Sequence, residues 1–173
     1  CVMDRELGVE DTALPAEVQR LQSLYAEEID LRDEYVWKWL HTLSPHFRLS
    51  SVPEAGRGTV QTQKTLLTMY ITLLDDLADR LGDRETFEAG AAVPFDRRTA
   101  DADRPGVDSG YLRVVRAVWD ELDGAIRGNP AYDAYRDLLY FDIRQAIQAM
   151  RYAFLVNESP RMANLTEAYA FGS

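Results

Sequence analysis

The chain is constrained most by one stretch, Leu66-Leu67-Thr68-Met69-Tyr70-Ile71-Thr72-Leu73-Leu74-Asp75-Asp76-Leu77-Ala78-Asp79-Arg80, an apolar run that ends abruptly on three aspartates spaced D-D-x-x-D. On a helix, Asp75 and Asp79 stand on one face, with Asp76 three residues before Asp79. Three carboxylates this close repel one another. At the C-terminal end of a helix they also oppose the macrodipole, which already disfavours negative charge there. A cation is therefore expected to compensate them. The choice lies between a hard divalent metal and the solvent with nearby arginine.

At 173 residues the chain is one domain's worth, long enough to bury a core. A net charge of −10 argues against nucleic acid or an anionic membrane as the main partner. It leaves open an anionic small molecule, because metal ions bridge acidic side chains to phosphates. Cys1 is the single cysteine, so a disulfide framework within the sequence is excluded and a cytoplasmic setting is expected. No run reaches the roughly 18 apolar residues of a membrane span, and no basic-then-apolar leader is present. The sequence begins on Cys1 and ends on Leu165–Ser173, which resembles the start of a further partly apolar element. The expectation is a fragment.

The segments predict an all-α chain, 1–173 forming a single helical domain, because they lack two-residue alternation and hairpin dipeptides. Residues 1–14 are expected to be an extended lead-in. A first helix is predicted over 16–43, opened by Pro15, with Leu21, Leu24, Tyr25, Ile29, Tyr35 and Trp39 as its stripe. Glu27, Asp30, Asp33 and Glu34 then form a solvated face, and Glu28 pairs with Arg32 at i+4. A loop follows over 45–60. The second helix spans 61–81 and is capped by Gly82. Residues 89–110 are predicted as a long loop with at most a helical turn near Phe95-Asp96. The third helix runs 109–127, with Leu112, Val115, Val118, Trp119, Leu122 and Ile126 at helical spacing. The fourth, 131–157, carries Tyr135, Leu138, Leu139, Ile143, Ile147, Met150, Phe154 and Leu155.

Magnesium takes hard oxygen ligands, commonly one or two carboxylates, and completes its shell with waters and phosphate oxygens. Asp75 and Asp79 meet that need, Asp76 is suited to hold a ligand water, and Asp83 extends the acidic rim. One turn below, Ile71, Thr72 and Thr68 make an apolar floor with hydroxyls, suited to a hydrocarbon. With aspartate this abundant the string alone is a weak signal, and its place at the end of a long apolar helix strengthens it. Arg97, Arg98 and Arg104 in the following loop are candidates for phosphate contact. Arg144 and Arg151, seven apart on the fourth helix, either pair with Asp137, Asp142 or Glu158 or turn to the same anion. Tyr35, Trp39, Tyr70, Trp119, Tyr140, Phe141 and Phe154 are aromatic candidates for a pocket wall, with core packing the plainer role. His41 and His46 show no metal spacing, and no nucleophile–base arrangement occurs.

These residues resemble a bacterial class I terpene synthase. The resemblance is carried by Asp75-Asp76-Leu77-Ala78-Asp79, by Phe141–Val156 as the long helix after the motif, and loosely by Pro160–Tyr169. It implies a helical-bundle terpenoid synthase fold and Mg²⁺ as cofactor. It also implies a lyase that ionises and cyclises a linear prenyl diphosphate and releases diphosphate. Asp75 then becomes a direct metal ligand, Asp79 the next, and Asp76 a bridging acid. Thr68, Tyr70, Ile71, Thr72 and Phe141 become the substrate contacts, with aromatic faces toward the carbocation. The family's second metal motif, N/D-x-x-x-S/T-x-x-x-E, does not occur in the sequence. The resemblance thus covers roughly the first half of such a domain, a half expected to be inactive by itself. A homodimer is in keeping with the fold. Two alternatives stand beside it. One is a trans-prenyltransferase of the same fold, which usually carries an R-R pair after the motif where this chain has single Arg80 and Arg84. The other is a non-enzymatic module whose acidic face binds a basic partner.

Overall fold

A computed structural model describes residues 13–33, 35–47, 52–96 and 104–158. Glu34, Arg97, Arg98 and the Pro160–Tyr169 similarity lie outside the described residues. The described residues form six α-helices and no strand, so the all-α expectation holds.

The organising element is α3, Arg57–Asp75. Leu66, Met69, Tyr70, Leu73, Leu74 and, beyond its end, Leu77 recur at helical spacing, and each is completely buried. Against this stripe packs α5, Ser109–Arg127, whose Leu112, Val115, Val118, Trp119, Leu122 and Ile126 are buried as predicted. The Tyr70 and Trp119 rings meet at a centroid distance of 5.2 Å. Asp108 caps α5, accepting the Tyr111 N–H at 3.0 Å. The α6 helix, Tyr132–Glu158, buries Ile143, Ile147, Met150 and Phe154. Leu138 and Leu155 are 64% and 57% exposed, which corrects their placement on the core stripe.

The helix predicted over 16–43 is two helices: α1, Ala16–Glu28, and α2, Tyr35–Leu43. No proline or glycine marks the break. Asp30 takes a left-handed φ of 47°, a conformation that Asp tolerates better than most residues. The Ile29 and Asp30 N–H groups both donate to the Tyr25 carbonyl, at 2.9 and 3.1 Å, and the Arg32 N–H donates to the Tyr25 hydroxyl at 2.7 Å. The break also resets the helical phase. Trp37 and His41 are the buried residues of α2, Trp37 edge-on to Tyr25, whereas Tyr35 and Trp39 are exposed. After α2 a 3₁₀ turn covers Ser44–Phe47, and another, Glu54–Gly56, leads into α3 four residues earlier than the sequence suggests.

The predicted long loop over 89–110 is corrected at its start by α4, Arg84–Ala92. Its signal is local. Asp83 accepts the Thr86 N–H at 3.0 Å and the Thr86 hydroxyl at 2.6 Å, and Thr86 Oγ1 in turn accepts the Asp108 N–H at 2.8 Å. Asp83 is therefore a helix cap and not an extension of the acidic rim. The Glu88–Ala92 stretch of α4 is rich in small residues, which hides its periodicity. The small size is used: a Cβ on Gly90 would stand 3.0 Å from Leu74 Cδ2 and 3.4 Å from Val115 Cγ1.

Candidate functional site

Leu66–Leu74 delivers the aspartates to the end of α3, where the helix changes character. Asp76–Leu81 is a π-helical turn, and Gly82 closes it at a left-handed φ of 64°. The Gly82 and Asp83 N–H groups both donate to the Leu77 carbonyl. Such turns disturb the regular ladder, and here the Tyr111 hydroxyl donates to the Leu73 carbonyl at 2.7 Å. The second predicted helix, 61–81, is thus an α-helix to Asp75 followed by a widened turn, a form frequent at functional sites.

The three aspartates have three different surroundings. Asp76 is completely buried, and Arg32 holds it with two hydrogen bonds, Nε to Oδ2 at 2.6 Å and Nη2 to Oδ1 at 2.5 Å. Arg80 Nη1 lies 3.8 Å from the same carboxylate. Asp75 is half-buried and Asp79 is exposed. Burial pushes the Asp75 carboxyl above its usual range, and the charges of Asp79 and Asp76 push it further, with Arg32 opposing. The nearby guanidiniums of Arg32 and Arg80 turn to Asp76, so the outward pair Asp75 and Asp79 bears the repulsion. Among the described residues, no group of three or more His, Cys, Asp or Glu side chains stands together as a ready metal cage. Two carboxylates with phosphate and water as co-ligands nevertheless fit what Mg²⁺ requires.

The other predicted contacts divide between two faces. Thr68, Ile71, Thr72 and Asp75 follow one another at i, i+3, i+4 and i+7, each partly buried, and form a stripe leading up to the outward carboxylates. The Thr68 hydroxyl donates to the Lys64 carbonyl at 2.8 Å. Tyr70 is not on that stripe. It is completely buried, its hydroxyl donates to the Gly90 carbonyl at 3.2 Å, and burial raises its pKa far above the ordinary phenol value. Phe141 sits on α6 with more than half its surface exposed.

Arg32 is the residue that sequence reading missed. Its i+4 pairing with Glu28 is corrected: Arg32 joins Asp76, and Glu28 pairs with Arg113 across to α5. The only available signal was indirect, since a carboxylate inside an apolar stripe requires a cation from elsewhere in the chain. Arg151 likewise pairs with Glu88 of α4, at 2.8 and 2.5 Å, and not with Asp137 or Asp142, while the Glu158 side chain lies outside the described residues. The described residues contain no helix long and apolar enough to cross a membrane. No family model, no curated protein and no solved structure matches the chain.

Proposed function

We propose that this chain belongs to a Mg²⁺-dependent class I terpene synthase that ionises and cyclises a linear prenyl diphosphate. The observation that carries the reading is the division of labour within D-D-x-x-D. Arg32 neutralises Asp76 inside the core, while half-buried Asp75 and exposed Asp79 make no ion pair among the described residues, and Arg32 only partly offsets the burial and like charge that raise the Asp75 carboxyl. Those two are the residues that would hold Mg²⁺, and Asp76 acts by fixing the turn that presents them. When bound, the metal supplies Lewis-acid assistance to the departure of diphosphate. Thr68, Ile71 and Thr72 offer a surface along which a hydrocarbon chain can lie below the charged end.

Titration calorimetry with inorganic diphosphate tests the proposal. Binding is expected in the presence of Mg²⁺ and is expected to vanish with EDTA or in the double variant Asp75→Asn with Asp79→Asn. Metal-independent binding, or binding that survives both substitutions, would refute it.

A further inference from the structure

A cavity of about 270 Å³ lies between the end of α4 and the middle of α6, away from the aspartates in sequence. Its floor is apolar and largely buried: Ala91, Ala92 and Ile147. Its rim carries Arg144, Gln148 and Arg151, at i, i+4 and i+7 along one face of α6. The Arg144 guanidinium carbon lies over the Phe95 ring, 4.7 Å from its centroid. Among the described residues no carboxylate pairs with Arg144, so its N–H groups remain available to an acceptor. Arg151 commits Nε and Nη2 to Glu88 and keeps Nη1 outside that pair.

The charge balance selects the ligand. Of the two guanidiniums in the lining, Arg151 is neutralised by Glu88 and Arg144 is not, which leaves one surplus positive charge among the described lining residues. A monoanion matches it, whereas a diphosphate would exceed it. The apolar floor and a volume below the usual 300–1,000 Å³ of ligand pockets call for a short hydrocarbon body. We propose that this cavity binds a small aliphatic carboxylate, with its head on Arg144 and Gln148 and its chain on Ala91, Ala92 and Ile147.

Calorimetric titration of the full chain with hexanoate, without Mg²⁺, tests the assignment. Saturable binding is expected, with hexanamide at least about tenfold weaker because it lacks the charge that strengthens the Arg144 hydrogen bonds. Arg144→Gln, at an exposed helix position, is expected to weaken hexanoate by about tenfold or more with an unchanged circular dichroism spectrum. Ala92→Leu is expected to fill the floor and abolish binding. The assignment fails if hexanoate does not saturate, if hexanamide binds equally well, or if Arg144→Gln binds like the parent. It also fails if inorganic phosphate binds as tightly as hexanoate, since the hydrocarbon floor would then play no part.

Discussion

Arg32 and Asp76, 44 residues apart in sequence, meet through two hydrogen bonds of 2.6 and 2.5 Å between a partly exposed guanidinium and a completely buried carboxylate. The pair ties the break between α1 and α2 to the widened turn after α3. It explains how an aspartate is accommodated beside Leu73, Leu74 and Leu77. It also explains why Asp30 adopts a left-handed backbone just before Arg32: the chain must leave the helical path to bring that side chain round.

Arg32→Ala is expected to destabilise the chain by about 3–5 kcal/mol, because it leaves a buried carboxylate without its partner. Adding Asp76→Ala to it should recover part of that loss, so the two single effects will not sum. Urea unfolding of the two single variants and the double variant measures this coupling. Additive losses would mean the two side chains act independently.

Asp75→Asn should have the opposite sign. It removes the cost of burying the charge and the like-charge contact with Asp79 at i+4, a pair type worth roughly 0.2–0.5 kcal/mol in helices. The metal-free variant is expected to be slightly more stable than the parent while losing Mg²⁺-dependent diphosphate binding. The pH dependence follows from the raised carboxyl. The unfavourable charge is fully present above the folded-state pKa and disappears as pH falls toward the ordinary value of 3.8, because the folded form takes up the proton first. Parent and Asp75→Asn unfolding midpoints should therefore converge as acid is added.

His41 titrates in a different window. It is buried, its Nδ1 lies 2.9 Å from Thr65 Oγ1, and burial lowers its pKa below 6.5. The unfolded chain thus binds a proton more readily than the folded one. Stability from this residue is complete above about pH 6.5 and is lost as pH falls from there through the lowered folded value. Thermal unfolding midpoints should drop on acidification through this range, and His41→Gln should flatten the drop.

Gly90→Ala is expected to cost about 1–3 kcal/mol through overpacking against Leu74 and Val115. Chemical denaturation measures it. A neutral result would show that α4 can shift away from α3.

The sequence-to-structure correspondence is strongest where burial repeats at helical spacing. The α5 helix was legible to the residue, since its bulky apolar side chains keep one phase from Leu112 to Ile126 between a clear cap and Gly128-Asn129-Pro130. The α1–α2 break was not, because its cause is the distant carboxylate of Asp76 and no local breaker residue announces it. Trp39 falls on the stripe read from the sequence, whereas Trp37 is the tryptophan that is buried, because the phase restarts after the break. The α4 helix was hidden by Ala89-Gly90-Ala91-Ala92, whose small side chains leave hydropathy too even to read. At the candidate site the aspartates were legible as a cluster. Their unequal burial was not, since the α-helical phase assumed for Asp75–Asp79 does not describe a widened turn.

That widened turn makes the length of the 76–81 segment a fixed quantity. Dropping a single residue would let the backbone close as ordinary α-helix and turn everything after it by one position. Gly82 would then no longer occupy the left-handed corner, and Gly90 would no longer meet the Leu74–Val115 surface. Point changes such as Asp75→Asn leave this spacing intact, whereas a one-residue deletion anywhere in the segment would displace the whole of α4. The position of α4 thus depends on the length of this segment and not on the side chain at Asp75.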